Sequence, residues 1–83
     1  MIKIAVCDDD EKTLGETLEL LRHYEKLPLS ADAYTSGEAL LAAGKKYDLL
    51  LLDIDMEGPD GIETARRIRE VDKEVKLIYV TNY

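Results

Sequence analysis

Four short apolar runs alternate with three segments of helical periodicity along this chain. Ile2 to Cys7 is apolar at nearly every position and stops abruptly at Asp8, Asp9 and Asp10, the pattern of a buried strand running into a loop. From Glu11 to about Tyr24, Leu14, Leu18 and Leu21 share one helical stripe, and Asp10 stands where it can cap that helix. Pro28 breaks the pattern, after which Ser30 to Tyr34 alternates small apolar with polar residues, as an edge strand with a wetter side does. Thr35 or Ser36 can cap a short helix carrying Ala39, Leu40, Leu41 and Ala43. Thr35 and Glu38 have capping-box spacing, and Gly44 fits the helix end.

Leu49 to Leu52 is an unbroken apolar run too short for a helix, bounded by Asp48 and Asp53, and reads as a strand buried on both faces. A loop with Gly58, Pro59 and Gly61 follows, then a helix from about Asp60 to Val71 with Ile62, Ala65 and Ile68 facing inward and Asp60 and Glu63 at capping-box spacing. Lys76 to Thr81 completes the series as a last strand. The alternation βαβαβαβ predicts an α/β fold, a parallel sheet with helices on both faces and right-handed crossovers. The wetter second strand belongs at an edge and the apolar first and third inside, which favours the strand order 2-1-3-4. In such a sheet the winding direction reverses between strands 1 and 3, opening a crevice at their carboxyl ends where ligands bind.

Eighty-three residues leave room for one small domain, spanning 1–83, and a composition of 46% hydrophobic and 35% charged residues is that of a chain that packs a core. Eighteen acidic against eleven basic residues give a net charge of −7, so phosphate backbones and anionic lipid would repel this piece. A single Cys forms no internal disulfide, and no apolar run of about 18 residues or signal-peptide pattern opens the chain; a cytoplasmic protein is expected.

The predicted sheet makes the acidic residues informative. Asp8 and Asp9 end the first strand and Asp53 ends the third, so two remote segments deliver carboxylates to one crevice. Two carboxylates about 5 Å apart repel by roughly 3 kcal/mol at an effective dielectric of about 20, and a third adds to this. Either one keeps a proton or a hard divalent cation binds, and an oxygen-only site completed by water suits Mg²⁺ better than Zn²⁺. Helix capping accounts for Asp10 but not for the convergence of Asp8, Asp9 and Asp53. Thr81 ends the last strand at the same side of the sheet, where its hydroxyl could donate to an anion beside Asp53.

The strings IAVCDDD, LLLLDIDMEGPDG and IYVTNY, in that order and at those strand ends, resemble the receiver (CheY-like) domain of bacterial two-component response regulators, a flavodoxin-like fold. The likeness runs the full length of the chain. It implies that Asp53 is the phosphoacceptor and forms an acyl phosphate, that Asp9 ligates Mg²⁺ directly and Asp8 mainly through water, and that the backbone carbonyl of Asp55 supplies a further ligand. It also implies that Thr81 is the switch hydroxyl, and that the donor is the phosphohistidine of a sensor histidine kinase recognised partly by the first helix, or a small acyl phosphate. The start and end of the chain look most like receivers joined to LytTR-type DNA-binding domains, so DNA would be reached only through an output domain absent here, in a transcription regulator.

The chain departs from the family pattern in one substitution near the acceptor and, more largely, in where it stops. Glu57 stands where the family usually has Pro. The chain stops at Tyr83, before the family's fourth helix, fifth strand and phosphate-pairing Lys, and Lys73 and Lys76 lie at the wrong end of the last strand to replace it. The resemblance therefore implies a receiver truncated after strand 4, inefficient in accepting phosphate and prone to self-association through the open edge of that strand. Two other readings compete. The LLLLDIDMEG segment also matches the DxD start of haloacid dehalogenase-like phosphatases, with Asp53 as nucleophile and Asp55 as acid/base, and a pseudo-receiver would act only as an interaction module. Elsewhere, Cys7 reads as a core residue and His23 as a solvent-facing or capping one. Arg66, Arg67 and Arg69 read as a solvated face paired with Glu63 and Glu70.

Overall fold

A computed structural model describes residues 1–80. The chain runs β1 (Ile2–Cys7), α1 (Glu11–Arg22), β2 (Leu29–Tyr34), α2 (Gly37–Ala43), β3 (Leu49–Asp53), α3 (Gly61–Val71) and β4 (Lys76–Val80). The strands form one parallel sheet in the expected order β2-β1-β3-β4, with β2 at an edge and β1 and β3 inside, as the polarity of those three runs predicts. Residues of β1 and β3 alternate between two cores. Ile4 and Val6 pack against Leu14 of α1, with Leu18, Leu21, Leu49 and Leu51 around them. Ala5, Cys7, Leu50 and Leu52 pack on the other face against Leu40 of α2 and Ala65 and Ile68 of α3. Helices thus cover both faces, and the central strands are apolar on both because neither side meets water.

Local chemistry sets the helix ends. Asp10 accepts from the Lys12 amide, Ser36 rather than Thr35 caps α2 by accepting from Ala39, and Asp60 accepts from Glu63. Gly44 closes α2 in the left-handed region at φ 63°, where a side chain would be strained. Only half of the capping box at Asp60 forms, because the Glu63 carboxylate is held by Arg66 and Arg67.

Two expectations for α3 need correction. Ile62 is 56% exposed, and the buried stripe is Gly61, Thr64, Ala65 and Ile68. The close approach of α3 to the sheet at Gly61 rotates the adjoining Ile62 outward. Arg69 does not share the solvated face of Arg66 and Arg67: it is half-buried, and its Nη1 has no partner among the described residues.

Candidate functional site

The acidic residues lie where the sheet hydrogen bonding runs out. Asp8 follows the last residue of β1, and its amide donates to the Tyr34 carbonyl, carrying the β1–β2 ladder one step further. Asp53 is the last residue of β3, in register with Val80, and the next amide, Ile54, donates to the Val80 carbonyl. Backbone pairing on both sides therefore fixes two neighbouring strand ends, and adjacent strands lie about 4.8 Å apart. One carboxylate oxygen from each of Asp8, Asp9 and Asp53 lies within 4.8 Å of the others.

The surroundings of these oxygens are uneven. Asp8 and Asp53 are each 4% exposed, whereas Asp9 is exposed. Asp8 Oδ1 accepts from the Asp10 amide at 2.9 Å, Asp53 Oδ1 from the Asp55 amide at 3.2 Å, and Asp9 Oδ2 from the Glu57 amide at 3.1 Å. Among the described residues, no lysine or arginine forms an ion pair with any of the three. Burial pushes the Asp53 carboxyl up to about 6; the charge of Asp8, hydrogen bonding to Asp8 and the charge of Asp9 act in the same direction, and the Asp55 amide opposes them. Cys7, fully buried directly behind the cluster, is pushed up to about 12 by burial and by Asp8, Asp53 and Asp9, which leaves it a neutral thiol.

Three uncompensated carboxylates in an oxygen-only cluster, two of them withdrawn from water, form a donor set for a hard divalent cation and fit Mg²⁺ on that ground. The sequence-derived residues fare differently. Asp8, Asp9 and Asp53 come together. Asp55 is exposed in the loop after β3, and the contact it makes to Asp53 is through its amide. Thr81 lies outside the described residues. Lys76 opens β4 opposite Leu49, at the far end of the sheet from Asp53, as its position in the strand predicts.

Other site features were not legible as such. The Met56 Sδ accepts from the Cys7 Sγ at 3.6 Å, anchoring the loop after β3 to the core. Gly61 lets α3 start against the backbone of Asp53: a Cβ there would lie 2.4 Å from the Asp53 carbonyl oxygen. Gly37 admits α2 to the start of α3, with the Thr64 hydroxyl 2.1 Å from where its Cβ would be. A glycine just inside each helix cap is the signal that could have found these contacts. A cavity of about 380 Å³ at the other end of the sheet has a mainly aliphatic lining that includes Leu40, Leu50, Ile68 and Val75. It lacks the converging acids, so chemistry rather than volume locates the site.

Comparison with known proteins agrees with this geometry. The family model described as "Response regulator receiver domain" matches residues 4–83. The transcriptional regulatory protein RprY of Bacteroides fragilis is 37% identical over 83 residues, covering 96% of this chain and 34% of that protein. The sensory transduction protein LytT of Oceanobacillus iheyensis is 33% identical over 86 residues, covering 99% of this chain and 35% of that protein, in keeping with the LytTR-type likeness. The structure of the response regulator TrrA from Thermotoga maritima, solved in complex with Mg²⁺ and a beryllium fluoride, superposes with a TM-score of 0.88 at 34% identity, covering all of this chain and 71% of that one. The chain spans about a third of the length of the curated relatives it matches. The dehalogenase-like and pseudo-receiver readings are not favoured by these matches. With its strand order, its acidic cluster at the carboxyl ends of β1 and β3 and this match over nearly its whole length, the chain belongs to the receiver-domain family of two-component response regulators.

Proposed function

We propose that this receiver accepts one phosphoryl group on Asp53, in a reaction that requires Mg²⁺ held by Asp8, Asp9 and Asp53 with the Asp55 backbone carbonyl. The observation that carries the reading is the convergence of three carboxylate oxygens within 4.8 Å with no cationic side chain paired to them among the described residues. Bound there, Mg²⁺ would offset the charge of an incoming phosphoryl group and keep it in line with a carboxylate oxygen, so that an anion can attack an anion. The protein's own part is positioning. The Asp55 amide donates to Asp53 Oδ1 and so restrains the carboxylate at the end of β3. Beside a bound cation the Asp53 carboxyl would be held ionised at pH 7 and therefore nucleophilic. Its attack forms an acyl–phosphate bond as the phosphorus–nitrogen bond of a sensor kinase's phosphohistidine breaks, and the Thr81 hydroxyl then answers the new anion.

The same reading makes the domain a single-turnover acceptor and not an enzyme, working in the cytoplasm and, in the intact regulator, governing a DNA-binding output domain. Among the described residues no helix is long and apolar enough to cross a membrane. Incubation with acetyl phosphate and Mg²⁺, followed by intact-mass measurement, tests the assignment. The expected result is a hydroxylamine-labile phosphoryl group on part of the chains, never more than one per chain, abolished by Asp53→Asn; no label at all would overturn the assignment. Repeated turnover of a phosphomonoester, or a label that survives in that variant, would overturn it. We also propose that the 83-residue chain associates through β4, which is the outermost strand among the described residues and leaves Ile78 and Tyr79 about half exposed.

A further inference from the structure

Asp9 is the one member of the cluster that packing does not fix, because it is exposed while Asp8 and Asp53 are buried. An exposed carboxylate has rotamer freedom to lose when it binds an ion. Among the described residues one hydrogen bond restrains it, from the backbone N–H of Glu57 to Oδ2 at 3.1 Å. The loop that presents this N–H is itself anchored. Met56, next in the chain, is buried against Cys7, the Asp55 amide donates to Asp53, and the Gly61 amide donates to the Ile54 carbonyl at 3.1 Å. A carboxylate has two oxygens and about four acceptor positions, so the bond to Oδ2 leaves Asp9 with capacity to face the other acids.

Resting on the reading that the cluster holds a divalent cation, we infer that the Glu57 backbone amide is a positioning group that holds Asp9 ready for the ion. What matters at position 57 is then the N–H, which every residue except proline supplies, and not the side chain, which is exposed. A proline would have no N–H to give. The contact ties the loop after β3 to the loop after β1 through a carboxylate of the site.

Two substitutions in the full chain separate the amide from the side chain. Glu57→Ala and Glu57→Pro both remove the side-chain charge, and only the second removes the N–H. Titration calorimetry with MgCl₂ is expected to show Glu57→Pro binding roughly three- to tenfold more weakly than Glu57→Ala, the range given by one hydrogen bond. Amide hydrogen exchange supplies a readout without the ion: Asp9→Ala should lower the protection of the Glu57 amide several-fold while leaving the amides of α1 unchanged. Equal or tighter Mg²⁺ binding by Glu57→Pro, with the parent binding normally, overturns the inference and leaves the cation site standing. No Mg²⁺ binding by the parent overturns the cation reading and this inference with it. Should Glu57→Pro fail to fold, the exchange measurement decides, and unchanged protection of the Glu57 amide in Asp9→Ala overturns the positioning role.

Discussion

At the scale of single residues, Asp53 links the site to stability. Its carboxyl titrates near 6 in the folded chain against an ordinary 3.8, so the folded state holds the proton more tightly than the unfolded state does. The stability linked to that proton is fully present below about pH 4 and is lost as pH rises through about 6. In metal-free buffer, Asp53→Asn is therefore expected to match the parent near pH 4 and to exceed it at pH 7 by a few kcal/mol, a gap that urea denaturation across this range would display. A constant difference with pH would contradict this assignment. Two glycines make a second contrast. Gly15 lies inside α1 with nothing within 4 Å of an added Cβ, so Gly15→Ala should stabilise by about 0.5–1 kcal/mol. At Gly61 the added Cβ would meet the Asp53 backbone at 2.4 Å, so Gly61→Ala should destabilise by about 1–3 kcal/mol. Urea midpoints moving in the same direction for both would be inconsistent with the packing described.

Among the elements, the strands were the most legible in the sequence. β1 and β3 are apolar on consecutive positions because both faces are covered, and β2 is mixed because it lies at an edge, so polarity places these three strands; β4 is as apolar as an interior strand yet lies outermost among the described residues, and its place followed from the family resemblance instead. Acids at two strand ends then followed from topology. Less was legible where backbone rather than side chain decides. Ile62 belongs to the inward stripe by hydrophobicity, but the contact of Gly61 with the sheet sets the rotation of α3 and turns Ile62 to solvent. The N–H donors of Asp55 and Glu57 leave no trace in residue type, since nearly every residue carries one. β4 offers its own test. Its outer backbone edge and Ile78, 49% exposed, favour pairing between copies. Light scattering is expected to show concentration-dependent association of the 83-residue chain, reduced by Ile78→Lys; a monomer at high concentration would refute the edge proposal.

On the scale of the whole molecule, the fold converts sequence distance into charge density. A chain of net charge −7 brings three carboxylates together at one end of its sheet, two of them buried, without a neighbouring cation in salt-bridge contact among the described residues. An ion bound there would stabilise the folded state in proportion to its affinity, by about 2.7 kcal/mol at a hundredfold excess over Kd. The chemistry of the site depends on that ion, and titration of the chain with MgCl₂, followed through backbone amide resonances, tests its binding most directly. Saturable one-site binding is expected, with shifts concentrated at Asp8, Asp9 and the residues following Asp53, lost in Asp8→Asn and Asp53→Asn. Shifts that never saturate, or that persist unchanged in both variants, would contradict it.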